Sequence, residues 1–197
     1  MPLPNHRLPT LVALVTAGLL AAIACGPSTG PTAGTEAAPA TAGAESNTGE
    51  SIPVPYTDSR FHYRIDGPGR MTAGPDGTAA YIGPSERLEI SVIQGTGATD
   101  PSALASQDIK TLAASAAAFQ QRSSPAKLTL NGHQVTRFAF TWNAGTSTVT
   151  GKAIELTSVR YYVSKDATTL AVITYGIVSN QFDPQGADDI VSTFHWQ

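Results

Sequence analysis

Between Gly26 and Ile52 the chain reads GPSTGPTAGTEAAPATAGAESNTGESI, a tract of Gly, Pro, Ala, Ser and Thr whose only charges are Glu36, Glu45 and Glu50. A segment of this composition removes too little apolar surface from water to offset its conformational entropy, so disorder is expected. The chain must therefore fold on one side of this tract or the other. The N-terminal segment before it is too short for a core. The C-terminal segment, Pro55 to Gln197, spans about 140 residues, close to the common size of a single domain. As a flexible coil of about 27 residues the tract would reach ~30 Å r.m.s., which makes it a spacer.

On its N-terminal side, Arg7 and His6 form a short positive region, followed by the uncharged run LVALVTAGLLAAIA from Leu11 to Ala24. The run fits the ~7 to 15 residues of a signal-peptide hydrophobic region and falls short of the ~20 needed to span a bilayer. It ends at Cys25, the one cysteine of the chain. That count excludes an intramolecular disulfide and any multi-cysteine metal site, and it directs attention to what a lone thiol does there.

Ala22-Ile23-Ala24-Cys25 resembles the bacterial lipobox, in which small residues before a cysteine let a dedicated peptidase cut just ahead of it. The resemblance implies cleavage between Ala24 and Cys25, a diacylglycerol thioether carrying palmitate-type chains on Cys25, and attachment to the extracytoplasmic face of a bacterial membrane. Two or more acyl chains suffice for stable anchoring where one is marginal. Ala22 stands where the family prefers Leu. Ala22-Ile23-Ala24 also satisfies the A-x-A rule, so ordinary cleavage after Ala24, releasing a soluble protein, is the alternative. The expected organisation is a signal peptide over 1–24, a lipidated cysteine and tether over 25–54, and a folded domain over 55–197.

Within that domain, Leu88, Ile90 and Val92 alternate with Glu89 and Ser91, and Phe138, Phe140 and Trp142 alternate with Arg137 and Thr141. Both patterns predict strands with one face buried. From Lys152 to Ser164 the alternation of Ile154 and Leu156 changes phase to Val159, Tyr161 and Val163, which predicts a bulge at Thr157-Ser158. The run from Thr169 to Val178 is apolar on both faces and predicts a central strand. Asp100-Pro101 and Asp183-Pro184 each place an N-cap acceptor before a proline, predicting helices over 101–119 and through Ile190 to Phe194. Their apolar stripes are Ile109, Leu112, Ala116 and Phe119, and Ala187, Ile190, Val191 and Phe194. Hairpin turns are expected at Asn131-Gly132, Ala144-Gly145 and Lys165-Asp166. The order implies an α+β fold: an antiparallel sheet of about six strands with helices packed on it.

This layout resembles the PsbP/Mog1-like domain. The features carrying the resemblance are an opening aromatic strand (Phe61-His62-Tyr63), a Pro-Gly turn (Gly67-Pro68-Gly69), a mid-chain helix, hairpin strands, a strand running from Ala171 to Tyr175, and a closing helix from Ile190 to Phe194. In that family the shared property is binding, so the resemblance implies a non-enzymatic accessory module for another exported or membrane protein. A small-ligand or lipid carrier with a pocket between sheet and terminal helix is the alternative, and a hydrolase with dispersed Ser, His and Asp residues is a third.

No motif argues for chemistry. Gly95-Thr96-Gly97-Ala98-Thr99-Asp100 has the outline of a dinucleotide loop, but a carboxylate at its last position repels phosphate, so a loop and N-cap are expected. His62, His133 and His195, on an opening strand, a turn and the final helix, lack metal-ligand spacing. Asp183, Asp188 and Asp189 suit the first turns of a helix. Ser147 and Ser158 have no neighbouring base, and Tyr161, Tyr162, Tyr175, Trp142 and Trp196 are expected in the core. No cofactor, metal or catalytic residue is assigned. A net charge of -3 gives no field for phosphate neutralisation and sets nucleic acid aside.

Overall fold

The computed structural model describes residues 53–95 and 100–197. Residues 1–52, and with them the signal peptide, Ala24, Cys25 and most of the tether, lie outside the described residues, as do residues 96–99 of the glycine loop.

The chain opens with an antiparallel hairpin, β1 (Val54–Asp58) and β2 (Tyr63–Gly67). Phe61 and His62 belong to its turn and not to a strand: His62 has φ 56°, and the Asp58 carboxylate accepts from the Arg60 and Phe61 backbone N–H groups. A side-chain acceptor so close in sequence gives the backbone a local alternative to the ladder, and that competition moves the strand start to Tyr63. The short strand β3 (Thr72–Ala73), then β4 (Ala79–Ile82) and β5 (Glu86–Gln94), begin the large sheet.

Helix α1 (Pro101–Ser115) starts as expected, with Asp100 accepting from the Ser102 N–H at 2.9 Å. It stops short of Phe119, because Ala118 turns the chain at φ 54° into β6 (Gln120–Gln121). Phe119 nonetheless packs on Phe140 at 5.6 Å, which is why it fits the helical stripe.

Strands β7 (Ala126–Leu130) and β8 (His133–Thr146) are joined at Asn131-Gly132, with φ 46° and 80°, the left-handed pair that a two-residue hairpin turn demands. β9 (Ala153–Ser164) and β10 (Thr169–Val178) complete the meander, turning at Lys165–Thr168. Helix α2 (Pro184–Ser192) is capped by Asp183, which accepts from the Gln185 and Gly186 N–H groups; it ends before Phe194, so His195 stands on β11 (His195–Trp196).

These strands form two antiparallel sheets in place of the expected one of about six strands. The smaller has the order β1-β2-β11, and the larger β3-β4-β5-β10-β9-β8-β6, with β7 also on β8. β10 is central, as its two-sided apolar run implied. β9 carries no bulge at Thr157-Ser158: its register against both neighbours is unbroken there. Leu156, Thr157, Ser158 and Val159 are all buried, so the apparent change of phase reflects cover on both faces. The irregularity lies instead between Asn143 and Thr146, so Ala144-Gly145 is a kink in β8 and the reversal comes later, at Ser147–Lys152.

Each face of the sheet has its own core. On one, Leu88, Ile90, Tyr161 and Ile173 meet Ala187, Val191 and Phe194 together with Tyr63 and Ile65 of the smaller sheet. On the other, Phe138, Phe140, Tyr162, Leu170 and Val172 meet Leu104, Ala105, Ile109 and Leu112 of α1.

Candidate functional site

Successive residues of a strand point to opposite faces, and β9 uses this at Tyr161 and Tyr162, both 0% exposed. Tyr161 projects under α2, where its hydroxyl donates to Asp188 at 2.8 Å; Arg137 of β8 donates to the same oxygen. Tyr162 projects under α1, where its hydroxyl donates to Asp108 at 2.7 Å, and Arg160 pairs with that carboxylate at 2.9 Å. Arg160 also donates to the Thr174 hydroxyl at 2.9 Å. Each helix is thus pinned to its face by one carboxylate shared between a phenol and a guanidinium. Burial first, and then the bond to the carboxylate, raise both phenols well above the ordinary tyrosine range. Sequence reasoning places these tyrosines in the core but gives Asp108, Arg137 and Arg160 no role. Successive steps of one helical turn, from Leu104 to Asp108 to Leu112, put Asp108 on the sheet-facing stripe, and that was the available signal.

α1 covers one end of its face. At the other end Trp142, Ser158, Arg87 and Leu156 continue the same face. The Trp142 indole N–H donates to the Ser158 hydroxyl at 3.0 Å, and the Arg87 guanidinium lies 5.4 Å from the indole ring centre. Ser158, with no base beside it, is a buried acceptor. A Cβ at Gly176 would stand 2.5 Å from its hydroxyl oxygen, so only glycine leaves that oxygen in place. Gly176→Ala is expected to cost about 1–2 kcal/mol by overpacking and to change the tryptophan emission, whereas Ser158→Ala should change the emission with less loss of stability. Denaturant melts followed by fluorescence check both.

At that same end two exposed apolar residues mark the loops: Ile82 beside the β4–β5 turn is 67% exposed, and Val149 in the β8–β9 turn is 92% exposed. A small groove of about 190 Å³ runs between Ile82, Gly83 and Pro84 on one side and Ala144 and Ile154 on the other. Around the strand start at Glu86, on the opposite face, a cleft of about 370 Å³ opens between α2 and the sheet, lined by Pro53, Pro68, Tyr175 and Ile190 among others. There the Tyr175 hydroxyl donates to Glu86 at 2.9 Å, and burial followed by the Glu86 charge raises that phenol too.

The other expected site residues are dispersed. His62 lies in the β1–β2 turn, His133 begins β8 and His195 begins β11. Asp183 caps α2, and Asp189 accepts from Gln185 at 2.8 Å. Tyr175 is buried in the same core as Tyr161, Tyr162 is buried in the core on the other face, and Trp196 packs edge-on against Phe194 at 5.1 Å. Cys25 and Ala24 lie outside the described residues.

No family model matches the chain, and no curated protein matches it in sequence. Among solved structures, the chain is similar to the Saccharomyces cerevisiae Ran-binding protein Mog1p, with a TM-score of 0.51 at 11% identity over 74% of this chain and 96% of that one. A Bacteroides thetaiotaomicron protein superimposes with a TM-score of 0.49 at 8% identity over 73% of this chain; the chain spans 48% of that protein's length. LpqN of Mycobacterium tuberculosis, involved in cell envelope biogenesis, gives 0.39 at 14% identity, covering 73% of this chain and 81% of LpqN. The likeness to Mog1p shows that the domain has the PsbP/Mog1-like α+β fold expected from the layout of its elements.

Proposed function

We propose that a PsbP/Mog1-like domain is carried here on a lipid anchor at Cys25, outside the cytoplasm, and acts as a non-enzymatic docking module for another exported or membrane protein. The observation that carries the reading is the use made of the interior polar groups. Asp108, Arg160 and Tyr162, and Asp188, Arg137 and Tyr161, are occupied in holding helices to a sheet, while the accessible end of the domain offers apolar loops and clefts. A yeast protein of the same fold is Ran-binding, which supports a protein partner. The carrier alternative needs room between sheet and terminal helix: Ala187, Val191 and Phe194 fill the inner part of that interface, and the cleft of about 370 Å³ beside Ile190 is the space left at its edge.

The test compares the intact chain with Cys25→Ser in native membranes. The wild type is expected to sediment with the membrane, to begin at Cys25 by mass and to carry a diacylglycerol adduct, with a stoichiometric protein partner in gentle detergent. Cys25→Ser should appear in the soluble fraction and lose the partner. A wild-type chain without the adduct, or a Cys25→Ser variant that keeps its membrane fraction, would end the anchored reading.

A further inference from the structure

The cleft beside α2 has a lining that is part apolar and part acidic. Pro53, Pro68, Tyr175 and Ile190 supply the apolar lining, and the lining's charged groups, Asp66, Glu86 and Asp189, are all carboxylates. Their existing partners leave acceptor capacity. Glu86 accepts from the Tyr175 phenol, Asp189 from the Gln185 amide, and Asp66 is paired at 3.1 Å with Arg64, whose side chain is half exposed. Among the described residues, two of the three therefore face no cation within the cleft. Low-dielectric walls strengthen the field of carboxylates that line a cleft.

The occupant that complements this lining has an apolar stem and a positive end. A free divalent ion does not fit: among the described residues, no three His, Cys, Asp or Glu side chains are grouped closely enough to hold a metal. An arginine side chain does fit, because its methylenes pack against Tyr175 and Ile190 while its planar head spreads charge over several donors toward separated carboxylates. We propose that this cleft receives an arginine side chain, with an apolar neighbour, from an extended segment of the protein partner. The proposal rests on the docking reading above and names the surface and chemistry it would use. Pro53, the first described residue, lines the cleft. The tract that precedes it in sequence carries only Glu36, Glu45 and Glu50 as charges, which makes this chain's own tether a poor occupant of an acidic cleft.

The test titrates the full chain in neutral detergent with acetyl-Leu-Arg-amide and with its neutral isostere acetyl-Leu-citrulline-amide, following backbone amide resonances. Saturable shifts centred on Gly67, Tyr175 and Ile190 are expected with the arginine probe, at least tenfold weaker with citrulline, and weakened several-fold by added salt. Glu86→Gln and Asp189→Asn should each reduce the arginine response several-fold and leave the citrulline response unchanged; both keep a side chain able to accept the existing hydrogen bond. Equal responses to the two probes, shifts away from the cleft, or insensitivity to both variants would overturn the proposal. Capture of a membrane partner by the Glu86→Gln, Asp189→Asn double variant as efficiently as by the wild type would also overturn it while leaving the docking reading standing. A cleft that responds as expected in a chain with no membrane partner would support the arginine site and count against the docking reading alone.

Discussion

Replacing Asp188 with alanine is expected to destabilise the domain by about 3 kcal/mol, because it removes the shared acceptor of a buried phenol and a partly buried guanidinium. The Tyr161 hydroxyl is buried with Asp188 as its acceptor, and the Arg137 side chain, 30% exposed, points at the same oxygen. Removing a shared acceptor costs more than removing either donor. Tyr161→Phe, which deletes a donor and leaves the ion pair, should cost about 1 kcal/mol. The double variant should fall short of the sum by about 1 kcal/mol, since the lost bond is counted in both single changes. Asp108→Ala is the instructive comparison. Asp108 is 31% exposed against 16% for Asp188, and Arg160 keeps the Thr174 hydroxyl as a second acceptor. Its loss should be smaller, about 2 kcal/mol. Urea melts of the four variants decide the matter, and a larger loss for Asp108→Ala than for Asp188→Ala would contradict the account.

The second large effect is alkaline. An unfolded tyrosine ionises near pH ~10, whereas Tyr161 and Tyr162 are held neutral well above that by burial and by the carboxylates that accept their protons. Below pH ~10 both states keep these protons and stability is unaffected by them. Above it the unfolded chain binds fewer protons than the folded one, so stability falls as pH rises, by about 1.4 kcal/mol per unit for each tyrosine. By pH ~11 the two together should remove about 3 kcal/mol. Tyrosinate absorbance from these two residues is expected to appear only within the unfolding transition and not before it. In Tyr161→Phe the slope of stability against pH should fall by about 1.4 kcal/mol per unit, leaving the contributions of Tyr162, Tyr63 and Tyr175, whose phenols are also raised. An early, non-cooperative rise accounting for every tyrosine would show that the two phenols reach solvent in the folded state.

Much of the fold is readable because its signals are local. Asp100-Pro101 and Asp183-Pro184 cap helices wherever they stand, Asn131-Gly132 reverses a hairpin by its own backbone preference, and the unbroken apolar run into Val178 belongs in the middle of a sheet. The failures share a cause as well. Against the expectation of a single buried face, cover on both sides of β9 registers as a bulge. Phe61 and His62 look like strand residues until the Asp58 carboxylate, three residues from Phe61, captures the Arg60 and Phe61 backbone and turns the chain. Phe119 keeps the helical spacing but reaches its neighbour Phe140 from beyond the helix. The candidate site is scarcely legible. Nothing local in Glu86, Asp66 or Asp189 tells that β5, β2 and α2 converge around Tyr175, because that convergence is set by strand order and not by spacing along the chain.

The paired tyrosines of β9 tie the strand's register to both helices at once. A slip of β9 by one residue exchanges the two sides of the strand. Moved one way, Tyr162 would stand beneath Asp188 but Val163 would replace it beneath Asp108. Moved the other way, Tyr161 would serve Asp108 and Arg160 would be thrust against Arg137. Either error leaves one helix fastened and the other loose, so only the native alignment closes both latches. A strand whose two sides are nearly equally greasy, and whose apolar pattern alone would tolerate misalignment, thereby gains a test of position that hydrophobicity could not supply.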